Sequence, residues 1–498
     1  MRKLLGLFLM LLIIGGAFSA CLGSVEAGVP DLLPTEASTD SLASNSNLES
    51  AQPTPIPTRG PHDPGQLFDY TAQTGDTLPA LASHFNTTEA EILEANPSLP
   101  ESFTTLPPGF PLQIPVYYRP LTGPAFHLLP DSEVIYGPTM VDFDLQSEIL
   151  SRPSFLSDLA TFAYRRQRDP WDVILILAQQ YSVNPRLLIT LMEHQTQALT
   201  KPFPEGEQDI YPMGYEDIEY RGLFWQTLWA AERLNQGFYG WRTGELTEFQ
   251  LADGMIVRPD PWLNAGTVAV QYFFAGLYGK AQFEQAVSPD GFYQTYLRLW
   301  GNPFDLGVDY IPANLQQPEL TLPFLPNHVW DFTGGPHPSW GSSLPWGALD
   351  FAPPSESQGC VWSNEYAAAP APGLVVRADE STVVLDLDGD GFEQTGWVLF
   401  YYHIAEQDMV PVGTYLETGD PIGHPSCEGG RSTGTHFHLA RRYNGEWIPA
   451  AGPLAFEMDG WLAAGGSVPY EGTLTKGSKV VPACPCSTRE NQIIYELE

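Results

Sequence analysis

The segment from Cys427 to His438, Cys-Glu-Gly-Gly-Arg-Ser-Thr-Gly-Thr-His-Phe-His, constrains the fold of this chain more than any other stretch. Successive side chains of a β-strand point to opposite faces, so His436 and His438 share one face and Phe437 lies on the other. The stretch therefore predicts a strand that brings two imidazoles to the wall of a site.

Three shorter motifs supply more groups of the same chemistry. They are Gly-Gly-Pro-His ending at His337, Ala-Leu-Asp-Phe with Asp350, and Tyr-Tyr-His ending at His403. Two imidazoles on one face, one distant histidine and one aspartate suit a metal, since catalytic zinc usually takes three protein ligands and leaves one position for water. A further imidazole can move a proton or stabilise an oxyanion. A His-x-His pair alone is as often a core or surface pair.

Together these motifs resemble the lysostaphin-type zinc endopeptidases, and within them the β-lytic branch, which cuts peptidoglycan peptides. The resemblance implies one Zn²⁺ per chain, with a water and the scissile carbonyl at the metal. The implied ligands are His337, Asp350 and His438, and the implied catalytic residues are His436 as base and His403 as oxyanion stabiliser, in roles that could be exchanged. We also expect Trp340 and Tyr402 to border a groove for the peptide.

One position departs from the common family pattern. Most of the family has His-x-x-x-Asp, whereas Trp346 stands four residues before Asp350. The β-lytic branch instead places Gly-Gly-x-His further upstream, as His337 is placed here. If His337 were not a ligand the site would lack a donor, and the alternative is a non-catalytic peptidoglycan-binding or regulatory protein with a degenerate peptidase domain.

The charge balance bears on the partners of the protein. The 498 residues include 59 acidic and 23 basic side chains, a formal net charge of −36. Because phosphate binding needs a basic surface, we expect no nucleic-acid partner. The oligomeric state is left open.

Residues 1–21 resemble a bacterial lipoprotein signal. Arg2-Lys3 precedes an apolar run from Leu4 to Ile14, and small residues lead to Cys21. The apolar run is short for a retained membrane span, so we expect export and lipidation of Cys21 at the outer face of the cell membrane. Residues 22–66, rich in Ser, Thr, Pro and acidic residues, predict a disordered linker.

The four remaining cysteines form an even set, which in an exported protein suggests disulfides with three possible pairings. The β-lytic resemblance implies a disulfide at the first residue of Cys-Glu-Gly-Gly, and we expect Cys427 to pair with Cys360. Cys484 and Cys486 could bridge each other or bind a ligand, and the sequence does not decide between these.

Residues 67–117 predict a small βααβ domain. Gly-Asp-Thr-Leu at Gly75 to Leu78, Ala-Asn-Pro at Ala95 to Pro97, and Pro-Gly followed by Leu112-Gln113-Ile114-Pro115 resemble a LysM module. The resemblance implies binding of glycans that contain N-acetylglucosamine, such as peptidoglycan. The alternative is a spacer domain.

The remaining boundaries follow composition and periodicity. We expect residues 118–150 to form a connector, 151–314 an all-α domain, 315–330 a linker, 331–463 an antiparallel β peptidase domain and 464–498 a tail.

The segment from Asn184 to Thr196 faintly resembles the helix that presents the catalytic glutamate of lysozyme-like enzymes, which would make Glu193 a glycan-cleaving acid with a raised pKa. A solvated helix end is the alternative.

Asp386, Asp388 and Asp390 match the start of a calcium loop, with Gly391 at the sixth position. Trp397 stands where the closing Glu belongs, although Glu393 could substitute for it. An acidic turn between two strands is the favoured interpretation.

The sequence as a whole predicts a multidomain α+β protein that hydrolyses peptide bonds of peptidoglycan, with a bifunctional peptidase and glycosidase as another alternative.

Overall fold

The computed structural model describes residues 62–100, 103–117, 123–355 and 359–496. The predicted signal peptide, Cys21 and most of the predicted linker lie outside these residues. Among the described residues, no helix combines the length and hydropathy needed to cross a membrane.

The first domain has the predicted βααβ order, which is confirmed. Thr77 caps the first helix by accepting from Ala80 N, and Thr88 forms a capping box with Glu91 at the start of the second. The first and last strands pair antiparallel over the helices. The elements are β1 (Gln66–Thr71), α1 (Leu78–Phe85), α2 (Glu89–Ala95) and β2 (Pro111–Val116).

The middle domain is mainly helical, as predicted, but it is not all-α, because its described residues also include two short two-stranded sheets. Proline stands at the first position of several of its helices, where the missing N–H costs no hydrogen bond, and Asn184 caps one of them by accepting from Arg186 N and Leu187 N. The elements are α3 (Leu145–Leu150), β3 (Thr161–Ala163), β4 (Arg166–Arg168), α4 (Pro170–Tyr181), α5 (Pro185–Thr196), α6 (Leu223–Thr243), β5 (Phe249–Gln250), β6 (Ile256–Val257), α7 (Ala265–Ala275), α8 (Lys280–Ala286), α9 (Phe292–Trp300) and α10 (Pro303–Leu306).

The first domain packs on the middle one. The imidazole of His84 stacks on Trp241 with ring centroids 3.6 Å apart, and its Nε2 lies 2.8 Å from the Trp241 carbonyl oxygen. Arg242 donates to the Thr74 carbonyl oxygen at 2.6 Å and to the Asp131 carboxylate at 2.9 Å. Polar and aromatic contacts therefore hold the two domains together.

The C-terminal domain is built on an antiparallel sheet, which confirms the predicted class. The elements are β7 (Val329–His337), β8 (Ala348–Ala352), β9 (Ala367–Ala368), β10 (Gly373–Asp379), β11 (Thr382–Asp386), β12 (Trp397–Tyr402), β13 (Tyr415–Leu416), β14 (Pro421–Gly423), β15 (Phe437–Tyr443), β16 (Glu446–Trp447), β17 (Glu457–Met458), β18 (Trp461–Gly465), β19 (Gly472–Lys476), β20 (Lys479–Pro482) and β21 (Gln492–Ile494). In the described residues the sheet has nine strands in the order β13-β10-β11-β12-β15-β8-β7-β21, with β16 paired to β15.

Both faces of this sheet are covered. On β15, Phe437 and Leu439 enter the core of the β-domain. Ala440 belongs to the core of the helical domain, and Arg442 donates to the Gln179 carbonyl oxygen of α4 at 2.6 Å. The helical domain therefore lies on the same face of the sheet as His438.

The segment 464–498 is expected to be a tail, but its described residues, 464–496, contain the whole of three strands. β19 and β20 extend a four-stranded sheet from β18, and β21 pairs with β7. These strands are only three to five residues long, which is too short for a clear periodic pattern in the sequence. The β-domain thus extends beyond residue 463.

Candidate metal centre

Three side chains predicted as metal ligands converge at one end of the sheet. His438 on β15 lies directly opposite Asp350 on β8, and Asp350 lies opposite Gly334 of β7. An irregularity between Gly334 and His337 then brings His337 to the same place. His337 Nε2 is 3.0 Å from His438 Nδ1 and 3.2 Å from Asp350 Oδ1, and His438 Nδ1 is 3.4 Å from Asp350 Oδ1.

The outer nitrogen of each ligand histidine is held by a backbone carbonyl. His337 Nδ1 lies 2.8 Å from the Gly335 oxygen, and His438 Nε2 lies 3.0 Å from the Ser339 oxygen. Because a carbonyl oxygen only accepts, each of these nitrogens carries the proton, and the lone pairs of His337 Nε2 and His438 Nδ1 point inward.

This arrangement fits a metal ion. Three buried acceptor atoms face one another, and Asp350 Oδ1 has no hydrogen-bond donor. Such a group of acceptors is costly in a protein interior unless a cation balances it. Ligands about 2.0–2.1 Å from a tetrahedral zinc lie about 3.3–3.4 Å apart, close to the separations found here.

The electrostatics favour the protonation states that a metal requires. Burial by itself would raise the pKa of Asp350, but electrostatic interactions with His337 and His436 lower it well below its usual value. Burial lowers the pKa of His438. At neutral pH the carboxylate is therefore ionised and the imidazole neutral, as metal ligands must be.

The two histidines predicted to assist catalysis lie beside this group. His436 Nδ1 is 2.8 Å from the Gly434 carbonyl oxygen, and its Nε2 is 3.9 Å from Asp350 Oδ1. His403 follows β12 with a φ of 61°, an uncommon backbone conformation for a residue other than glycine, and its ring centroid lies 4.6 Å from that of His436. Burial lowers the pKa of His403 to about 3, and the charge on His436 contributes to this.

Aromatic side chains border the cluster. Trp340 contacts Tyr402, with ring centroids 4.4 Å apart. Tyr470 stacks on His337 at 4.2 Å. Sequence reasoning missed Tyr470, because it lies in the segment interpreted as a tail, and missed the Ser339 carbonyl, because a backbone group leaves no signal in the sequence.

Two disulfides are present in the described residues. Cys360 pairs with Cys427 across a sequence separation of 67, which ties the start of the loop that leads to His436 to the segment that precedes β9. Cys484 pairs with Cys486.

His424 lies apart from the metal ligands, with its ring against Tyr366 and its Nδ1 2.9 Å from the Glu365 carbonyl oxygen.

Glu193, the candidate glycan-cleaving acid, is buried within the helical domain. Its buried carboxylate accepts from Leu199 N at 2.9 Å, from the Thr200 hydroxyl at 2.7 Å and from Arg298 at 3.1 Å. These three donors tie the carboxylate to neighbouring segments of the helical domain, which indicates a structural role.

The acidic turn has the geometry of a hairpin connection. Asp386 accepts from the main-chain N of Asp388, Gly389 and Gly391. Glu393, the residue that could have closed a calcium loop, instead pairs with Arg377 at 2.9 Å. The three aspartates could approach a cation, but their hydrogen bonds are accounted for by the turn itself.

Comparisons with known proteins agree with this architecture. Residues 70–115 match the LysM domain, and residues 127–314 match the N-terminal domain of LasA. Protease LasA of Pseudomonas aeruginosa strain UCBPP-PA14 is 26% identical over 370 residues, covering 68% of this chain and 78% of that protein. The same values hold for protease LasA of strain PAO1.

Solved structures of M23 peptidases align with part of the chain. The M23 metalloprotease pseudoalterin, from the deep sea, is 21% identical and covers 34% of this chain and 96% of its own, with a TM-score of 0.29. The catalytic domain of lysostaphin from Staphylococcus simulans is 24% identical and covers 25% of this chain and 90% of its own, with a TM-score of 0.18. The chain is therefore similar to protease LasA over 68% of its length, and it also contains a region that matches the LysM domain.

Proposed function

We propose that this protein is a zinc metalloendopeptidase that hydrolyses peptide bonds of peptidoglycan. The observation that carries the proposal is the inward convergence of two imidazole lone pairs and one carboxylate oxygen within 3.0–3.4 Å of one another. The homology to protease LasA and the LysM domain support the same function.

In this proposal His337, Asp350 and His438 hold the zinc. When bound, the metal supplies a Lewis acid that activates a water and polarises the scissile carbonyl. The chain's own contribution is to orient the ligands. The carbonyl oxygens of Gly335 and Ser339 hold the two imidazoles in the tautomer that binds a cation.

His436 is suited to take a proton. Its Nδ1–H donates to the Gly434 carbonyl oxygen, so its Nε2 presents a lone pair on the side of Asp350. His403 lies across from it, and its Nδ1 is held by the Glu428 carbonyl oxygen at 2.7 Å. We assign His436 as the general base and His403 as the group that stabilises the developing oxyanion. Either imidazole would need a proton on Nε2 to stabilise the oxyanion, and the two roles could be exchanged.

The remaining domains would place the enzyme on its substrate. The LysM domain would bind the glycan, and lipidation of Cys21 after export would hold the chain at the outer face of the cell membrane. Metabolic labelling with a radioactive fatty acid tests the anchor, which is refuted if a Cys21→Ala variant incorporates as much label as the wild type.

The competing function is a peptidoglycan-binding protein without catalysis. The presence of all five expected side chains in one cluster favours the enzyme. Metal analysis and digestion of purified peptidoglycan by the purified protein separate the two functions. About one zinc per chain with release of new amino termini supports the enzyme, and a zinc-free protein that binds peptidoglycan without cutting it supports the alternative.

A further inference from the structure

We propose that Glu232, in the helical domain, is a positioning residue for the metal centre, acting through the loop 338–346 on His438. The proposal rests on the proposed metal site. In this proposal the domain that matches the LasA N-terminal region helps to hold a metal-binding histidine in place.

The far end of the loop is fixed to the helical domain. Glu232 Oε1, on α6, accepts from Ser342 N at 3.2 Å and from the Ser342 hydroxyl at 2.9 Å. Tyr181 of α4 also donates to this oxygen, at 3.4 Å. Two donors from one residue to the same carboxylate oxygen make a directional contact.

The approach at this point is too close for a side chain. Gly341 has a φ of 66°, and a Cβ there would lie 2.8 Å from the Tyr181 ring and 3.0 Å from Glu232 Oε1. The glycine thus allows the loop to rest directly on α4 and α6, in a conformation that other residues rarely adopt.

The near end of the loop holds the metal ligand. The Ser339 carbonyl oxygen accepts from His438 Nε2 at 3.0 Å, while Ser339 N donates to the Pro345 carbonyl oxygen at 2.9 Å. Between the two ends, Trp340 packs against Tyr402 of the β-domain and Tyr181 of the helical domain. Ser339 and Ser342 are three positions apart, so little chain is available to absorb a displacement of the far end.

Loss of the Glu232 contact should therefore disturb the orientation of the His438 imidazole. If the Ser339 carbonyl moves, His438 Nε2–H loses its acceptor and the imidazole loses what fixes its tautomer and ring orientation. Substitutions that disturb such partners of metal-binding histidines typically weaken metal affinity about 10–100-fold. Because Glu232 acts through a loop, we expect the lower end of this range.

The test compares the full chain with Glu232→Ala, Glu232→Gln and Ser342→Ala. Zn²⁺ affinity is measured by competition with a chromophoric chelator, the visible absorption of the Co²⁺-substituted protein reports ligand geometry, and the unfolding temperature of the metal-free protein reports stability. Glu284→Ala is the control, since Glu284 is an exposed helical-domain glutamate whose ion pair with Lys280 is 3.9 Å long.

We expect Glu232→Ala to weaken Zn²⁺ binding about tenfold and to change the Co²⁺ spectrum, with Glu232→Gln and Ser342→Ala between it and the wild type. Wild-type affinity and spectrum in Glu232→Ala overturn the proposal, as does a loss of affinity that Glu284→Ala shares. A wild type that binds no zinc refutes the proposed function and this proposal together. A wild type that binds zinc no better than Glu232→Ala refutes this proposal alone, so the two failures are distinguishable.

Discussion

His438 and Asp350 face each other directly across the antiparallel pair formed by β15 and β8. This register fixes the separation of two of the three proposed ligands through the backbone hydrogen bonds of a sheet, the most rigid arrangement the fold offers. The third ligand, His337, ends the neighbouring strand β7. The site is therefore built on three adjacent strands.

Removal of one ligand should abolish metal binding. His438→Ala leaves two donors, so we expect less than a tenth of the wild-type zinc content and no release of amino termini from peptidoglycan. His424→Ala is the control, because His424 belongs to the same domain but lies outside the cluster. Zinc analysis of the two purified variants checks the prediction, and equal zinc in both would contradict the assigned site.

Removal of the metal should be reversed by zinc and not by calcium. A chelator is expected to abolish hydrolysis of peptidoglycan, and stoichiometric Zn²⁺ to restore it, because two imidazoles and one carboxylate suit zinc better than calcium, which prefers oxygen ligands. An Asp386→Asn/Asp388→Asn variant should behave like the wild type in this assay. Restoration by Ca²⁺ in the wild type but not in the variant would assign a function to the acidic turn.

The disulfide between Cys360 and Cys427 should stabilise the protein far more than the one between Cys484 and Cys486. The first closes a loop with a sequence separation of 67 and the second a separation of 2. On the chain-entropy estimate the first contributes about 4 kcal/mol and the second much less. Thermal unfolding of the two Cys→Ser double variants measures this, and equal losses of stability would contradict the estimate.

Glu193→Gln should reduce stability without removing an activity. It weakens the ion pair to Arg298 and a buried hydrogen-bond network, at a cost of about 1–3 kcal/mol, and it leaves the metal centre intact. Unfolding in denaturant gives the stability, and analysis of products from purified peptidoglycan gives the activity. Reducing or anhydro-sugar ends that appear with the wild type and vanish with Glu193→Gln would support the glycosidase hypothesis.

The contact between His84 and Trp241 should weaken in acid. Burial, opposed by the Trp241 hydrogen bond and helped by Arg242, lowers the pKa of His84 from 6.5 to about 3. Below pH 6.5 the imidazole of His84 is therefore protonated in the unfolded protein and still neutral in the folded one. As the pH is lowered from 6.5 to about 3, the free energy of unfolding falls by up to about 1.4 kcal/mol per pH unit. Above pH 6.5 this residue has no effect.

The measurement is the unfolding temperature against pH for the wild type and His84→Phe, which keeps a ring on Trp241 without a titrating group. Burial raises the pKa of neighbouring Asp76 to about 6, an effect of opposite sign, since the folded state then holds an extra proton below that pH. Asp76 is present in both proteins, so the difference between the two curves isolates His84. Parallel curves from pH 6.5 to 4 would contradict the prediction.

The sequence alone determined the chemistry of the site and the order of the domains. The alternation of His436, Phe437 and His438 is a local property of a strand, and the turn and cap residues of the first domain act within a few positions, so both were predictable. Only the tertiary structure decided the rest. Glu193 accepts a hydrogen bond from Arg298, which lies on a different helix. Tyr470 stacks on His337 because short strands, which the sequence did not predict, place it there. Glu232 accepts from Ser342 across a domain interface. Contacts between residues distant in the chain depend on how whole elements pack, and no local pattern encodes them.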